Sequence, residues 1–133
     1  MPELPEVEVV KRSLERNILN LIIKKVKIKD ANLRYKVDKI GLSKLIGKKI
    51  TKIKRRSKFL IFEIGKTYQM LVHLGMTGKF RKTQNTYLLY KHDHFSIKMS
   101  DNSVFVYNDV RKFGSIHWSS DIDKHFLIQN IVS

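Results

Sequence analysis

The chain has 133 residues, 42% of them apolar, and its 27 Lys and Arg against 12 Asp and Glu give a formal charge of +15. That length suits one domain with a real core, and the charge points to a polyanionic partner, nucleic acid before an acidic membrane surface. The absence of cysteine excludes disulfides and a thiolate zinc site, and no apolar run approaches the roughly 18 residues of a membrane span.

Both prolines lie in the opening run Met1-Pro2-Glu3-Leu4-Pro5-Glu6-Val7-Glu8. Pro5 suits the first turn of a helix, where a missing N–H costs nothing. Glu6 and Glu8 favour the positive end of its dipole. Val7, Val10, Leu14 and Ile18 then recur at helical spacing, which predicts a helix from about Pro5 to Leu19. Ile22 to Asp30 is strand-like, and Val37 to Ile46 reads as a short helix closed by Gly47. Strands are predicted at Lys49 to Arg56, Phe59 to Ile64 and Tyr68 to Leu74. Two more, His94 to Met99 and Val104 to Tyr107, flank the turn Ser100-Asp101-Asn102-Ser103. Gly114 to Trp118 closes the series, and Ser119 to Ser133 carries little pattern. Short strands at this spacing predict a β-sandwich or barrel with the first helix packed on it. We expect a single domain over residues 1–133. Fifteen of the basic residues fall between Lys24 and Lys58, against only Asp30 and Asp38, so the charge is regional. Individually these lysines read as solvated strand faces; as a block they read as a polyanion-facing surface. The acidic start does not resemble a secretion signal, so a cytoplasmic protein is expected.

The N-terminus offers particular chemistry. With Met1 removed, Pro2 presents a secondary amine beside the Glu3 carboxylate. An α-amino group has a reference pKa near 7.7–8.0, so a useful fraction is unprotonated at neutral pH. Condensation with an aldehyde-level carbon gives an iminium that is cationic without protonation, an electron sink that favours elimination. A plainer reading stays open, in which Pro2 merely starts the chain and Glu3 caps the helix.

The run Pro2-Glu3-Leu4-Pro5-Glu6-Val7-Glu8 closely resembles the start of the bacterial formamidopyrimidine-DNA glycosylase family. Four further motifs follow in the family's order. They are Arg55-Arg56-Ser57-Lys58-Phe59-Leu60, His73-Leu74-Gly75-Met76-Thr77-Gly78, Lys91-His92-Asp93-His94 and Asn108-Asp109-Val110-Arg111-Lys112-Phe113-Gly114. The resemblance spans residues 2 to about 118. It implies a mainly β fold, a two-sheet β-sandwich flanked by an N-terminal helix and a second short helix. It also implies base-excision repair: removal of oxidised purines (formamidopyrimidine, 8-oxoguanine), then strand cleavage through a Schiff base. The partner would be damaged double-stranded DNA, bound by a monomer in the bacterial cytoplasm near the nucleoid, with no membrane involved. The family's helix-two-turn-helix module and zinc finger have no counterpart in this sequence. No cofactor or metal is therefore expected here, the family's zinc site lying in that further part.

By the resemblance, Pro2 is the nucleophile, Glu3 the general acid and Glu6 a supporting carboxylate; Glu6 also reads as a helix-dipole partner. Lys58 would transfer protons and contact phosphate near the lesion. Met76, Arg111 and Phe113 would fill the gap left by an everted nucleotide, with core packing the alternative for Phe113 above all. His92 and Arg111 match phosphate-contact positions. His92 and His94 together form only a weak metal pair. Val110 stands where the family commonly has proline. Three rivals remain. One is an endonuclease VIII-type enzyme for oxidised pyrimidines, against which Leu4 counts because glycine is common there. Another is a non-catalytic DNA-binding remnant. The third is a general RNA-binding β-domain, which explains the charge but leaves the terminal motif unexplained.

Overall fold

In the computed structural model, which describes residues 4–84 and 90–120, the first helix, α1 (Leu4–Ile18), starts one residue earlier than predicted. Its stripe of Val7, Leu14 and Ile18 is buried as the spacing requires, each side chain contributing about 1.5–3 kcal/mol by leaving water. β1 (Ile23–Ile28), β2 (Ile50–Arg56), β3 (Phe59–Ile64), β4 (Tyr68–His73), β5 (Lys79–Thr83), β6 (Asp93–Met99), β7 (Val104–Asn108) and β8 (Ser115–Ser119) form two antiparallel sheets. Their orders are β1-β6-β7-β5 and β2-β3-β4-β8. The sandwich expected from the resemblance is therefore present, and the barrel is not. Phe62, Ile53 and Met70 of one sheet meet Phe95, Phe105 and Tyr107 of the other in the shared core.

The two helices sit at the sandwich's open sides. α1 packs along β2, and its outer residues form a groove with β5. The Asn20 N–H donates to the Ile50 carbonyl, 2.8 Å, where β2 begins. Glu8 pairs with Arg55, 3.1 Å, where β2 ends. The helix thus runs antiparallel to β2, and its N-terminus points at the β2–β3 hairpin tip. α2 (Lys39–Ser43) packs against β1 and β8 on the opposite side.

α2 is shorter than the predicted Val37 to Ile46. Asp38 caps it through Gly41 N–H, 2.8 Å. Lys44, Leu45 and Ile46 then donate to carbonyls three residues back, a tighter winding than an α-helix sustains. Trp118 Nε1 donates to the same Asp38 carboxylate, 2.8 Å, across the face of Gly41. β5 was not predicted from sequence. It is an edge strand whose only large apolar side chain is Phe80, set among Lys79, Arg81 and Lys82.

Beneath the β6–β7 end, Asp93 is fully buried. Arg81 forks onto it at 2.6 and 2.7 Å, and Asn108 Nδ2 donates to it at 3.0 Å. Burial pushes this carboxyl up, but the hydrogen bonds from Arg81, Asn108 and the Tyr90 N–H, with the Arg81 charge, outweigh it and hold the pKa at about 2.

Candidate functional site

Several motif residues gather at one end of the sandwich. Arg56 and Phe59 pair directly, so Ser57 and Lys58 are the whole β2–β3 turn. Ser57 takes φ +54°, the backbone sign that a two-residue hairpin demands at its first position. Lys58 is thereby held, half-buried, at the tip. Phe59 then sets its ring edge-on to His73, 4.7 Å between centroids, across the β3–β4 pair.

Residues 74–78 and 109–114 form two loops at this end, and one carboxylate joins them. Asp109 is fully buried. Its Oδ1 accepts from Thr77 Oγ1 at 2.7 Å and Lys112 N at 3.1 Å. Its Oδ2 accepts from Gly114 N at 2.8 Å and Tyr107 OH at 3.0 Å. Thr77 Oγ1 in turn accepts from Arg111 N at 3.0 Å. The backbones touch as well: at Gly75 (φ +63°) a Cβ would lie 2.5 Å from Gly114 N and 2.6 Å from Phe113 C. Only glycine satisfies both that angle and that approach.

The side chains on these loops point outward. Met76 is 45% exposed and Phe113 48% exposed, so the core-packing alternative does not describe either. Arg111 Nη1 donates to Met76 Sδ at 3.9 Å, which places the cation and the thioether side by side. His92 is half-buried, and its carbonyl accepts from Asp109 N at 3.0 Å. His94 differs. It is buried, with Nε2 on the Asp109 carbonyl, 2.9 Å, and Nδ1 3.7 Å from Asp30 Oδ2. His94 is a packing staple, and His92 and His94 do not form a ligand pair. Among the described residues no group of three or more His, Cys, Asp or Glu could hold a metal ion.

Glu6 is exposed on the first turn of α1. Pro2 and Glu3 lie outside the described residues. Glu8, read from sequence only as a helix-dipole partner, ties α1 to the hairpin through Arg55, and that hydrogen bond lowers its pKa.

Sequence reasoning missed three further features. Asp109 lay inside a quoted motif but carried no role, although a buried aspartate beside a strand end and ahead of a glycine invites loop closure. His73 accepts from Gly75 N through Nδ1, 2.9 Å, which leaves the ring proton on Nε2. Burial chiefly, then the Arg34 and Lys58 charges, lowers its pKa, so it is neutral at pH 7. Arg34 and Tyr35 join Phe59, His73, Phe113 and Ser115 around a pocket of about 180 Å³ on the outer face of the second sheet. The Arg34 N–H donates to the Gly114 carbonyl, 3.1 Å. The end of the sandwich thus presents exposed apolar side chains and cations on two loops joined by a buried carboxylate.

A family profile described as the formamidopyrimidine-DNA glycosylase N-terminal domain matches residues 1–116. The chain is similar to the formamidopyrimidine-DNA glycosylase of Rickettsia bellii, 43% identical over 117 residues that cover 88% of this chain and 43% of that protein. Among solved structures it is similar to Lactococcus lactis Fpg in complex with DNA containing an abasic site. There the TM-score is 0.82 at 36% identity, covering 92% of this chain and 45% of that one. The same bacterium's Fpg in complex with DNA containing an oxidized pyrimidine gives a TM-score of 0.81 at 37% identity, covering 92% and 46%. The chain spans somewhat under half the length of these relatives.

Proposed function

Because the chain belongs to the formamidopyrimidine-DNA glycosylase family through its N-terminal domain, we propose that it serves base-excision repair as a glycosylase and AP lyase for oxidised purines. The observation that carries the proposal is the pair of joined loops. They set Met76, Arg111 and Phe113 in the open beside the Lys58 hairpin, at the end toward which α1 points its N-terminus. Pro2 and Glu3 immediately precede that helix in the sequence, and two residues of chain span at most about 7 Å.

In this reading the wedge enters the duplex and offsets part of the few kcal/mol that eversion costs. The Pro2 nitrogen attacks C1′ as the glycosidic bond breaks and the base departs with a proton. Glu3 supplies the acid for the leaving base or for O4′; the C1′–O4′ bond then opens, O4′ leaves as a hydroxyl, and the Pro2 nitrogen, having lost its own proton, forms the C1′ iminium. The resulting iminium acidifies C2′–H, and loss of that proton expels the 3′ phosphate. Lys58 and Glu6 assist proton movement, and His92 and Arg111 hold phosphates. The amine must be free and uncharged to attack.

The test is borohydride trapping on abasic-site duplex. It uses the chain alone and the chain joined to the C-terminal remainder of the Rickettsia bellii relative. A covalent adduct on the N-terminal peptide is expected, lost when Met1 is retained. An adduct mapped to a lysine, or none from the completed protein with Pro2 first, refutes the mechanism. Cleavage of 8-oxoguanine against oxidised-pyrimidine duplexes then ranks the lesions.

A further inference from the structure

On the outer face of the first sheet one row of residues remains without a role. Lys79 pairs with Asn108 across β5–β7, and Asn108 with Asp93 across β7–β6. Phe80 points inward, its ring against Phe95 and Tyr107. Strand alternation therefore sends Lys79 and Arg81 outward. The Arg81 guanidinium, already forked onto Asp93, lies 4.3 Å from the centroid of the Tyr90 ring. Tyr90 is pinned twice through its backbone, its N–H donating to Asp93 Oδ2 at 3.1 Å and its carbonyl accepting from Lys29 Nζ at 2.7 Å. Yet the residue is 61% exposed. Lys79, Phe80, Arg81, Tyr90 and Asn108 line an open pocket of about 250 Å³.

An aromatic ring that is held rigidly and left in water is arranged for contact rather than for packing. Its backing cation is neutralised by Asp93, so Arg81 serves to fix the ring. Lys79 is exposed on the same row and supplies a charge for an anion. We infer that this row is a second DNA-contact site, in which the Tyr90 ring packs on a deoxyribose and Lys79 neutralises a phosphate of the duplex beside the lesion. The inference rests on the proposed function, since it needs the Met76 loop to enter DNA. Lys79 lies three positions after Met76, at most about 11 Å of chain. Phosphates along one strand advance about 3.4 Å each along the helix axis. The contacted phosphate therefore lies within about three nucleotides of the abasic site. A DNA backbone fits this row better than an acidic peptide does, because the row continues directly from the loop that carries the wedge.

The experiment is a methylphosphonate scan. Each phosphate within five nucleotides of the abasic site is neutralised in turn, and affinity is measured for the wild-type chain, Lys79→Ala and Tyr90→Ala. In the wild type, one position at the stated distance is expected to weaken binding several-fold. In Lys79→Ala that position ceases to matter, and the slope of log affinity against log salt falls by about 0.9. Tyr90→Ala weakens binding with the slope unchanged. A Lys79→Ala scan identical to wild type, or wild-type affinity and slope in both variants, overturns the inference and leaves an acidic protein ligand as the row's alternative. Trapping at saturating DNA separates the two proposals. It stays unchanged in both variants if the row only binds, whereas a positive scan without trapping refutes the Pro2 chemistry alone.

Discussion

Asp109→Asn tests whether one carboxylate holds the two loops. An asparagine has one acceptor oxygen where Asp109 uses two, each accepting two donors. The less costly amide orientation keeps the oxygen toward Gly114 N and Tyr107 OH, which are buried. The NH₂ then faces Thr77 Oγ1, which accepts from it, and Lys112 N, which turns to water. The loss is about one charge-assisted hydrogen bond and a partly rehydrated N–H, about 2–3 kcal/mol. Asp109→Ala strands Gly114 N and Tyr107 OH together, about 4–6 kcal/mol with the lost pairing. Urea unfolding followed by tryptophan fluorescence measures both. For a domain of this size the asparagine variant should melt about 10 °C lower. Affinity for abasic duplex, measured where the variant is still folded, should also fall, because Met76, Arg111 and Phe113 lose their common base. An Asp109→Asn chain within about 0.5 kcal/mol of wild type, or one that loses stability but binds DNA unchanged, would refute the reasoning.

Gly75→Ala should cost more than Gly47→Ala. Both hold positive φ, worth about 1–2 kcal/mol, but a Cβ at Gly47 meets nothing within 4 Å whereas one at Gly75 meets the Gly114 and Phe113 backbone; equal melting temperatures would contradict the close approach of the loops. Asp93 has its folded pKa held at about 2, below the unfolded value, so its contribution is full above pH 4 and disappears as pH falls toward 2. Wild type should therefore lose about 2 kcal/mol over that window that Asp93→Asn does not lose. His73 should titrate below the reference 6.5 in an NMR pH series, its stability contribution complete above pH 6.5 and declining below it; a midpoint above 6.5 would contradict its buried, cation-flanked setting. Met76→Ala and Phe113→Ala should change unfolding free energy by no more than about 0.5 kcal/mol while weakening abasic-duplex binding, and a large stability loss in either would return it to the core.

Most elements were legible because burial follows period. Val7, Leu14 and Ile18 announce a helix face, and Phe59 to Ile64 reads as a strand whichever face is considered. β5 was illegible because an edge strand needs one buried side chain per turn of the pleat, and Phe80 alone sets no period. The length of α2 was misjudged because apolar spacing does not show its ends: Asp38 caps it at Lys39, and Lys44, Leu45 and Ile46 donate three residues back rather than four. At the site, the motifs named the residues that point outward and passed over the ones that hold them. His92 and His94 look alike in Lys91-His92-Asp93-His94, yet His94 lies within β6 and is buried, whereas His92 sits in the turn before that strand and stays half-open. Asp109 looks like any loop aspartate until four donors are seen to converge on it.

That division between tips and anchors follows from energetics. Everting a nucleotide costs a few kcal/mol before any contact is made. Each loop residue that had to be ordered at the same moment would add about 1–2 kcal/mol, so a few such residues would double the cost. The 74–78 and 109–114 loops avoid this by being ordered in advance through groups that never touch solvent: Asp109, Tyr107 OH and the glycine backbones at 75 and 114. Under the proposed function, only the Met76, Arg111 and Phe113 side chains would remain to be fixed on binding. A substitution at the buried carboxylate should therefore weaken DNA binding as strongly as removal of a wedge residue, although it lies under the surface that DNA would meet.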